Sequence, residues 1–196
     1  MPRRFFPATA MPDSDWWRAL WPDPACVLKK LCFKPEMSAV DLCCGDGHFT
    51  QAMASMLKGP VYGLEIDPQM LQAAKSRTIG NVCWIEADAR DLVQKLPEPV
   101  DVVYMANTFH GVLEPTEMAR IAGEALKPGG LFIVVNWHVA LPEETRVLGK
   151  ARGPRKALRM SPVQTSKKVE PAGLSLIQIV ELRPFHYGAI FQKPAE

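Results

Sequence analysis

Apolar residues recur along this chain with a period that changes from segment to segment. Met118, Ile121, Ala122, Ala125 and Leu126 fall at helical spacing after Pro115, which predicts an amphipathic helix. Leu174, Leu176, Val180 and Leu182 alternate as in a half-buried strand, and residues 187–192 read as another. Arg183-Pro184-Phe185-His186 would turn between them, giving an antiparallel final hairpin. Upstream, Val100–Ala106 is an unbroken apolar run of the kind found in strands covered on both faces. Predicted helices over 49–57 and Pro68–Arg77 stop at Gly59-Pro60 and at Gly80. Lys127-Pro128-Gly129-Gly130 ends the Pro115 helix, and a strand follows over 131–136. Ser161-Pro162 opens a short helix that ends near Gly173.

The 18 prolines concentrate before residue 36 and after residue 140. Residues 1–12 read as a loose tail. Asp13 or Ser14 could cap a helix carrying Trp16, Trp17 and Leu20, with a second short helix over 24–31. The expected organisation is an N-terminal helical cap segment over 1–36 and an α/β domain over 37–196, without internal repeats.

Candidate chemistry concentrates where strands end. Val40-Asp41-Leu42-Cys43-Cys44-Gly45-Asp46-Gly47-His48-Phe49-Thr50 runs from an apolar strand through an acid and a tight G-x-G turn into a helix start. Gly45 and Gly47 lack a Cβ, so the backbone can turn sharply and a ligand can approach it closely. The strand Val61–Glu65 ends in a second acid, and the strand over 82–88 in a third, Asp88. Acids at consecutive strand ends suit a nucleoside lying across the carboxyl edge of a parallel sheet. A dinucleotide would want a third glycine and an unopposed helix N-terminus for its pyrophosphate. Here the third glycine position is Thr50, and Asp41 precedes the turn. That carboxylate would repel a pyrophosphate and attract the ammonium and sulfonium of S-adenosylmethionine.

Asp41-Leu42-Cys43-Cys44-Gly45-Asp46-Gly47, Tyr62-Gly63-Leu64-Glu65-Ile66-Asp67-Pro68, Ala87-Asp88-Ala89 and Leu126-Lys127-Pro128-Gly129-Gly130-Leu131 resemble, in order, the motifs of the class I S-adenosylmethionine-dependent methyltransferases. The resemblance covers roughly residues 38 to 192. It implies a Rossmann-like, mostly parallel seven-stranded sheet with a reversed last strand and helices on both faces. It also implies that Asp41, Cys43, Gly45 and Gly47 line the methionine moiety and Glu65 with Ile66 the ribose. Asp88 and Ala89 would meet the adenine, and Asn107 would lie beside the cofactor. Cys43 departs from the family, which more often has glycine there, so the local turn could differ.

Composition narrows the setting. The chain of 196 residues has 23 basic against 21 acidic side chains, a net charge of +2, so no global field points to nucleic acid. Five cysteines without a C-x-x-C pair indicate neither a disulfide framework nor a zinc ribbon. They read as small core residues, and a thiol relay would need exposed, acidic thiols. No apolar run reaches the ~18 residues that span a membrane. A cytoplasmic, reduced protein is the expectation, with oligomeric state open.

Three of the four histidines converge on one rim by topology alone. His110 follows the fourth strand, His138 the fifth, and His186 opens an antiparallel last strand on that same side. One of them could be a general base with a pKa near neutrality. Together, with Glu143 or Glu144, they could hold a metal, although their spacing forms no metal motif and no resident metal is expected. They could also be hydrogen-bonded wall residues. Trp16, Trp17 and Trp21 could fold over the cofactor as a lid or simply pack on the sheet, with Trp17, Trp137 and Tyr187 lining the acceptor. Lys150, Arg152, Arg155, Lys156 and Arg159 could recognise an anionic acceptor, touch RNA phosphates, or be solvated. Interleaved aromatics for base stacking are missing there.

After the fourth strand the chain has Asn107-Thr108-Phe109-His110, without the prolines found in families that methylate bases or glutamine. The reading is therefore methyl transfer to O, S or N of a small molecule. An RNA methyltransferase and a non-catalytic cofactor-binding protein are the alternatives.

Overall fold

A computed structural model describes residues 14–78 and 80–196. The expected tail over 1–12 and a cap at Asp13 lie outside the described residues. Two short helices, α1 (Ser14–Leu20) and α2 (Pro24–Lys30), precede the sheet. Then β1 (Ala39–Leu42), α3 (His48–Met56), β2 (Val61–Glu65), α4 (Pro68–Arg77), β3 (Val82–Glu86), α5 (Leu92–Lys95), β4 (Val100–Ala106), α6 (Pro115–Ala125) and β5 (Leu126–Trp137) alternate. A two-residue hairpin, β6 (Arg146–Val147) and β7 (Lys150–Ala151), is followed by α7 (Pro162–Val169), β8 (Ser175–Leu182) and β9 (His186–Gln192).

The sheet order is β3-β2-β1-β4-β5-β9-β8. β1 to β5 pair in parallel, and β9 runs against both β5 and β8. This is the expected seven-stranded sheet with a reversed last strand. Its central strands are apolar on both faces because helices cover both. Val40, Leu42, Val103, Met105, Phe132 and Phe191 pack with Met118 of α6 and Val169 of α7. Ala39, Val61, Val102, Tyr104, Ile133 and Ile190 pack with Trp17 of α1, Leu28 of α2 and Met53 of α3.

Local signals set the helix starts. Asp67 accepts from the amides of Gln69 and Met70 at the head of α4, and Ser161 with Gln164 closes a capping box on α7. α3 has no side-chain cap and begins at Gly47 in the left-handed region, φ +77°. The Trp84 ring lies across both Gly63 and Gly47. A Cβ on Gly63 would come within 2.4 Å of that ring, and one on Gly47 within 3.0 Å.

Two segments differ from expectation. Residues 127–130 lie inside β5 rather than before it, because Val100 faces Leu126 while Val102 faces Leu131, so the four residues bulge between the two pairs. Gly129 takes φ +74° there, and Lys127 pairs with Asp101 at 2.8 Å. The β6–β7 hairpin has no sequence signal at that length. Val147 of it is buried with Trp16 and Trp17, and the Arg152 guanidinium lies 5.0 Å over the Trp16 ring. The insertion and the N-terminal helices therefore meet.

Candidate functional site

The turn after β1 is assembled by carboxylates. Asp41, at the outer end of β1, is 3% exposed and accepts a 2.6 Å hydrogen bond from the Thr50 hydroxyl of α3. Glu65, ending β2, accepts from the Gly45 amide at 2.9 Å through one oxygen. Its other oxygen accepts from the Ile66 and Asp67 amides at 2.9 and 3.0 Å. Asp88, past β3, accepts from the Arg90 amide and guanidinium and caps the single turn that Ala89 opens. Between these acids sits Cys43. Burial first, then the charges of Glu65, Asp41 and Asp88, push its thiol well above the usual range. Cys44 is raised in the same way, by burial and by Asp41 and Glu65. Both stay protonated, which removes the conditions for a thiol relay.

Burial, reinforced by Glu65 and Asp46 and opposed by the Thr50 hydrogen bond, raises Asp41 to about 7. A cation arriving beside it would restore its ionised form. Gly45 and Gly47 take φ +55° and +77°, a region glycine adopts without strain, and at Gly47 Ala74 and the Trp84 ring already fill the space a Cβ would take. These features fit the methionine end of S-adenosylmethionine.

Cys43 itself sits at φ +63°. A non-glycine residue there costs about 1–2 kcal/mol, so the glycine this position resembles would be the relaxed choice. Cys43→Gly is expected to raise the unfolding free energy by up to about 1 kcal/mol, after the greater chain entropy of glycine is subtracted. Cys43→Val should lower it. Urea melts of the two variants check this, and a midpoint for Cys43→Gly below wild type would show that thiol packing outweighs the strain.

The histidine rim forms in part. His110 is buried in a single turn after β4, and the Asn136 amide, on β5, opposes its depression. His186 faces Trp137 across the β5–β9 pair and is fully buried, its ring centre 4.1 Å from Trp137 and 4.6 Å from Trp21. Burial lowers His110 to about 4. Burial, and then the charges of His138, Arg159 and His110, push His186 well below the ordinary range. Both rings are therefore neutral at physiological pH and are weaker bases than expected. His138 turns outward to Glu181 at 2.9 Å. Among the described residues no group of three or more His, Cys, Asp or Glu side chains could hold a metal.

Tyr187 does not line the same wall as Trp137. Its hydroxyl bonds Thr165 at 2.6 Å and the Met160 carbonyl at 2.9 Å, on the α6–α7 face, whereas Trp17 and Trp137 pack on the α1–α3 face. Adjacent strand residues face opposite ways, so Tyr187 and His186 cannot share a wall. Asn107, at φ +57° after β4, has buried amide atoms without a hydrogen-bond partner among the described residues, whereas the Asn136 amide is engaged by His110 and Tyr187 on the α6–α7 side. His186 has two ring nitrogens without a partner among the described residues. His48 bonds the Trp21 carbonyl at 2.9 Å, tying the G-x-G turn to the N-terminal helices. A surface depression of about 250 Å³ lined by Leu57, Lys58, Gly59 and Asn81 lies at the opposite end of β2, away from these groups.

Residues 39–130 match the family model described as "Methyltransferase domain". An uncharacterized methyltransferase of Synechocystis is 31% identical over 113 residues, 57% of this chain and 52% of that protein. Phosphoethanolamine N-methyltransferase 1 of Arabidopsis thaliana is 28% identical over 112 residues, 56% of this chain and 23% of that protein. The chain thus spans about half the length of the first relative and less of the second. The crystal structure of a SAM-dependent methyltransferase from Aquifex aeolicus superposes with a TM-score of 0.77 at 23% identity, covering 93% of this chain and 99% of that one.

Proposed function

We propose that this chain, whose residues 39–130 match the methyltransferase-domain model, is a class I S-adenosylmethionine-dependent enzyme that transfers a methyl group from that cofactor to a nucleophilic O, S or N atom of a small molecule. The observation that carries this reading is the convergence of Asp41, Glu65 and Asp88 around the Cys43 turn, at the ends of three adjacent parallel strands. When bound, the cofactor would supply a methyl group on a sulfonium whose sulfur departs as the neutral thioether of S-adenosylhomocysteine. Asp41 pairs with the cofactor's ammonium, Glu65 accepts from the ribose, and Asp88 takes the adenine amino group. The remaining task is to align donor and acceptor and exclude water. Trp17, Trp21 and Trp137, each under 10% exposed, suit that task at the strand ends. The tryptophan faces also favour a positive sulfonium.

Neutral His110 and His186 orient the acceptor through hydrogen bonds rather than holding a proton in advance. Two cations of the 150–159 run are turned inward, Arg159 by burial and Arg152 onto Trp16. This reduces the phosphate-facing surface an RNA would need and supports the small-molecule reading. No helix among the described residues is long and apolar enough to cross a membrane.

Calorimetric titration with S-adenosylhomocysteine, with NAD as the parallel control, tests the proposal. Micromolar binding of the first alone is expected. Failure of both to bind would reduce the chain to a fold without the cofactor.

A further inference from the structure

Arg159 is a buried cation that no acid neutralises. It is 4% exposed, and among the described residues no carboxylate lies within 4 Å of it. Its guanidinium donates instead to neutral oxygens: Nε to the Pro154 carbonyl at 2.9 Å, and Nη2 to the Thr145 hydroxyl at 2.9 Å and the Arg152 carbonyl at 3.2 Å. Nη1 has one long contact, 3.5 Å to the His138 carbonyl. Below lies the Trp137 ring, 5.1 Å from the guanidinium carbon. Glu143 and Glu144 are near enough to oppose the effect of burial on its pKa but do not pair with it. Holding an insertion in place requires only neutral donors; a desolvated charge adds a cost unless an opposite charge joins it.

The surroundings are those of a binding site. Arg159 is close enough to His110 and His186 to disfavour protonation of both. At the same rim, His186 is 0% exposed with both ring nitrogens unpartnered among the described residues, and Asn107 adds two more such buried atoms. A fixed guanidinium, the Asn107 amide and the neutral His186 imidazole can together bind an oxyanion by its charge and the rest of a polar acceptor by hydrogen bonds.

We propose that the methyl acceptor carries an anionic group, a carboxylate or phosphate, that is held by Arg159 at the outer end of β5. The proposal deepens the methyltransferase reading and rests on it for the word acceptor. The Nε and Nη2 donors are spent on neutral oxygens, which leaves Nη1, with its one 3.5 Å contact, to meet either anion, and only Arg159 of the five cations in its run is placed for this contact. Lys150, Arg155 and Lys156 are exposed to water, and Arg152 lies on Trp16.

The experiment titrates benzoate, phenyl phosphate and the neutral isostere benzamide into wild-type protein saturated with S-adenosylhomocysteine, following tryptophan fluorescence, since Trp137 lies under Arg159. At least one anion should bind ten-fold or more tightly than benzamide, and which one does so identifies the group. R159Q should abolish the preference, and R159K should keep part of it, with thermal melts confirming that each variant folds. Equal binding of all three probes to wild type would overturn the proposal without recourse to any variant, as would a preference that survives in R159Q. Failure of S-adenosylhomocysteine to bind is seen separately and strikes the methyltransferase reading, because the probes can still be titrated alone.

Discussion

Replacing Asp41 by asparagine is expected to stabilise the free protein at pH 8 and to remove most of its cofactor affinity. The ordinary carboxyl value of 3.8 becomes about 7 in the fold, so the folded state binds the proton more tightly than the unfolded chain. Between those two values the folded state carries more protons, and stability therefore falls as pH rises through the window. Above pH 7 the full cost is present, on the order of 4 kcal/mol at 1.36 kcal/mol per unit. Asparagine never ionises and keeps an oxygen for the Thr50 hydroxyl. Asp41→Asn should therefore unfold at higher urea than wild type at pH 8 and at nearly the same urea near pH 4. Calorimetry should show its affinity for S-adenosylhomocysteine reduced by roughly ten- to a hundred-fold, the loss of a charge-assisted bond to the ammonium. In wild type, that affinity should climb as pH rises through 7. A variant that melts no later than wild type at pH 8 would mean Asp41 is not strained by burial, and unchanged affinity would remove it from the ligand set.

This trade-off explains why the cofactor turn was readable in the sequence. An acid closing an apolar run is locally unfavourable, and such conflicts between local rule and local residue concentrate where function is. Asp41, Glu65 and Asp88 each broke the pattern in that way, and the strand register brings them together around Cys43. The sheet was legible for the same reason in reverse, since long apolar runs bounded by glycine and proline leave few alternatives. What stayed hidden depended on contacts distant in sequence. Arg159 sits in a basic run whose sequence leaves anion recognition, RNA contact and a solvated loop all open, and only the fold of residues 140–160 back over Trp137 buries it. Topology puts His110, His138 and His186 near one rim, but it does not reveal that His138 turns out to Glu181 or that burial keeps His110 and His186 neutral. The sequence reading has Trp137 and Tyr187 both lining the acceptor, whereas a one-residue difference in strand parity puts them on opposite faces of the sheet. The left-handed backbone at Cys43 was signalled only by the residue that is not there, glycine.

The same turn gives the second large effect. Glu65 is 8% exposed, and its carboxylate accepts three backbone amides, from Gly45, Ile66 and Asp67. A carboxylate has about four lone-pair positions, so one remains open, on the oxygen that holds Gly45. That oxygen is the candidate acceptor for a ribose hydroxyl, and a second hydroxyl would have to displace an amide. Glu65→Ala removes both functions at once. It should weaken S-adenosylhomocysteine binding by about 1–3 kcal/mol, roughly 5- to 150-fold, and lower stability by a similar 1–3 kcal/mol as three donors lose their partner. Glu65→Gln separates the two roles, because its one oxygen can still accept the Ile66 and Asp67 amides while its amino group faces Gly45 with the wrong polarity. The glutamine variant should therefore recover part of the stability and little of the affinity. Calorimetry and urea melts on the pair distinguish the outcomes. Lost stability with unchanged affinity would make Glu65 a strut of the turn and place the ribose elsewhere, whereas lost affinity in both variants would fix the ribose at the end of β2.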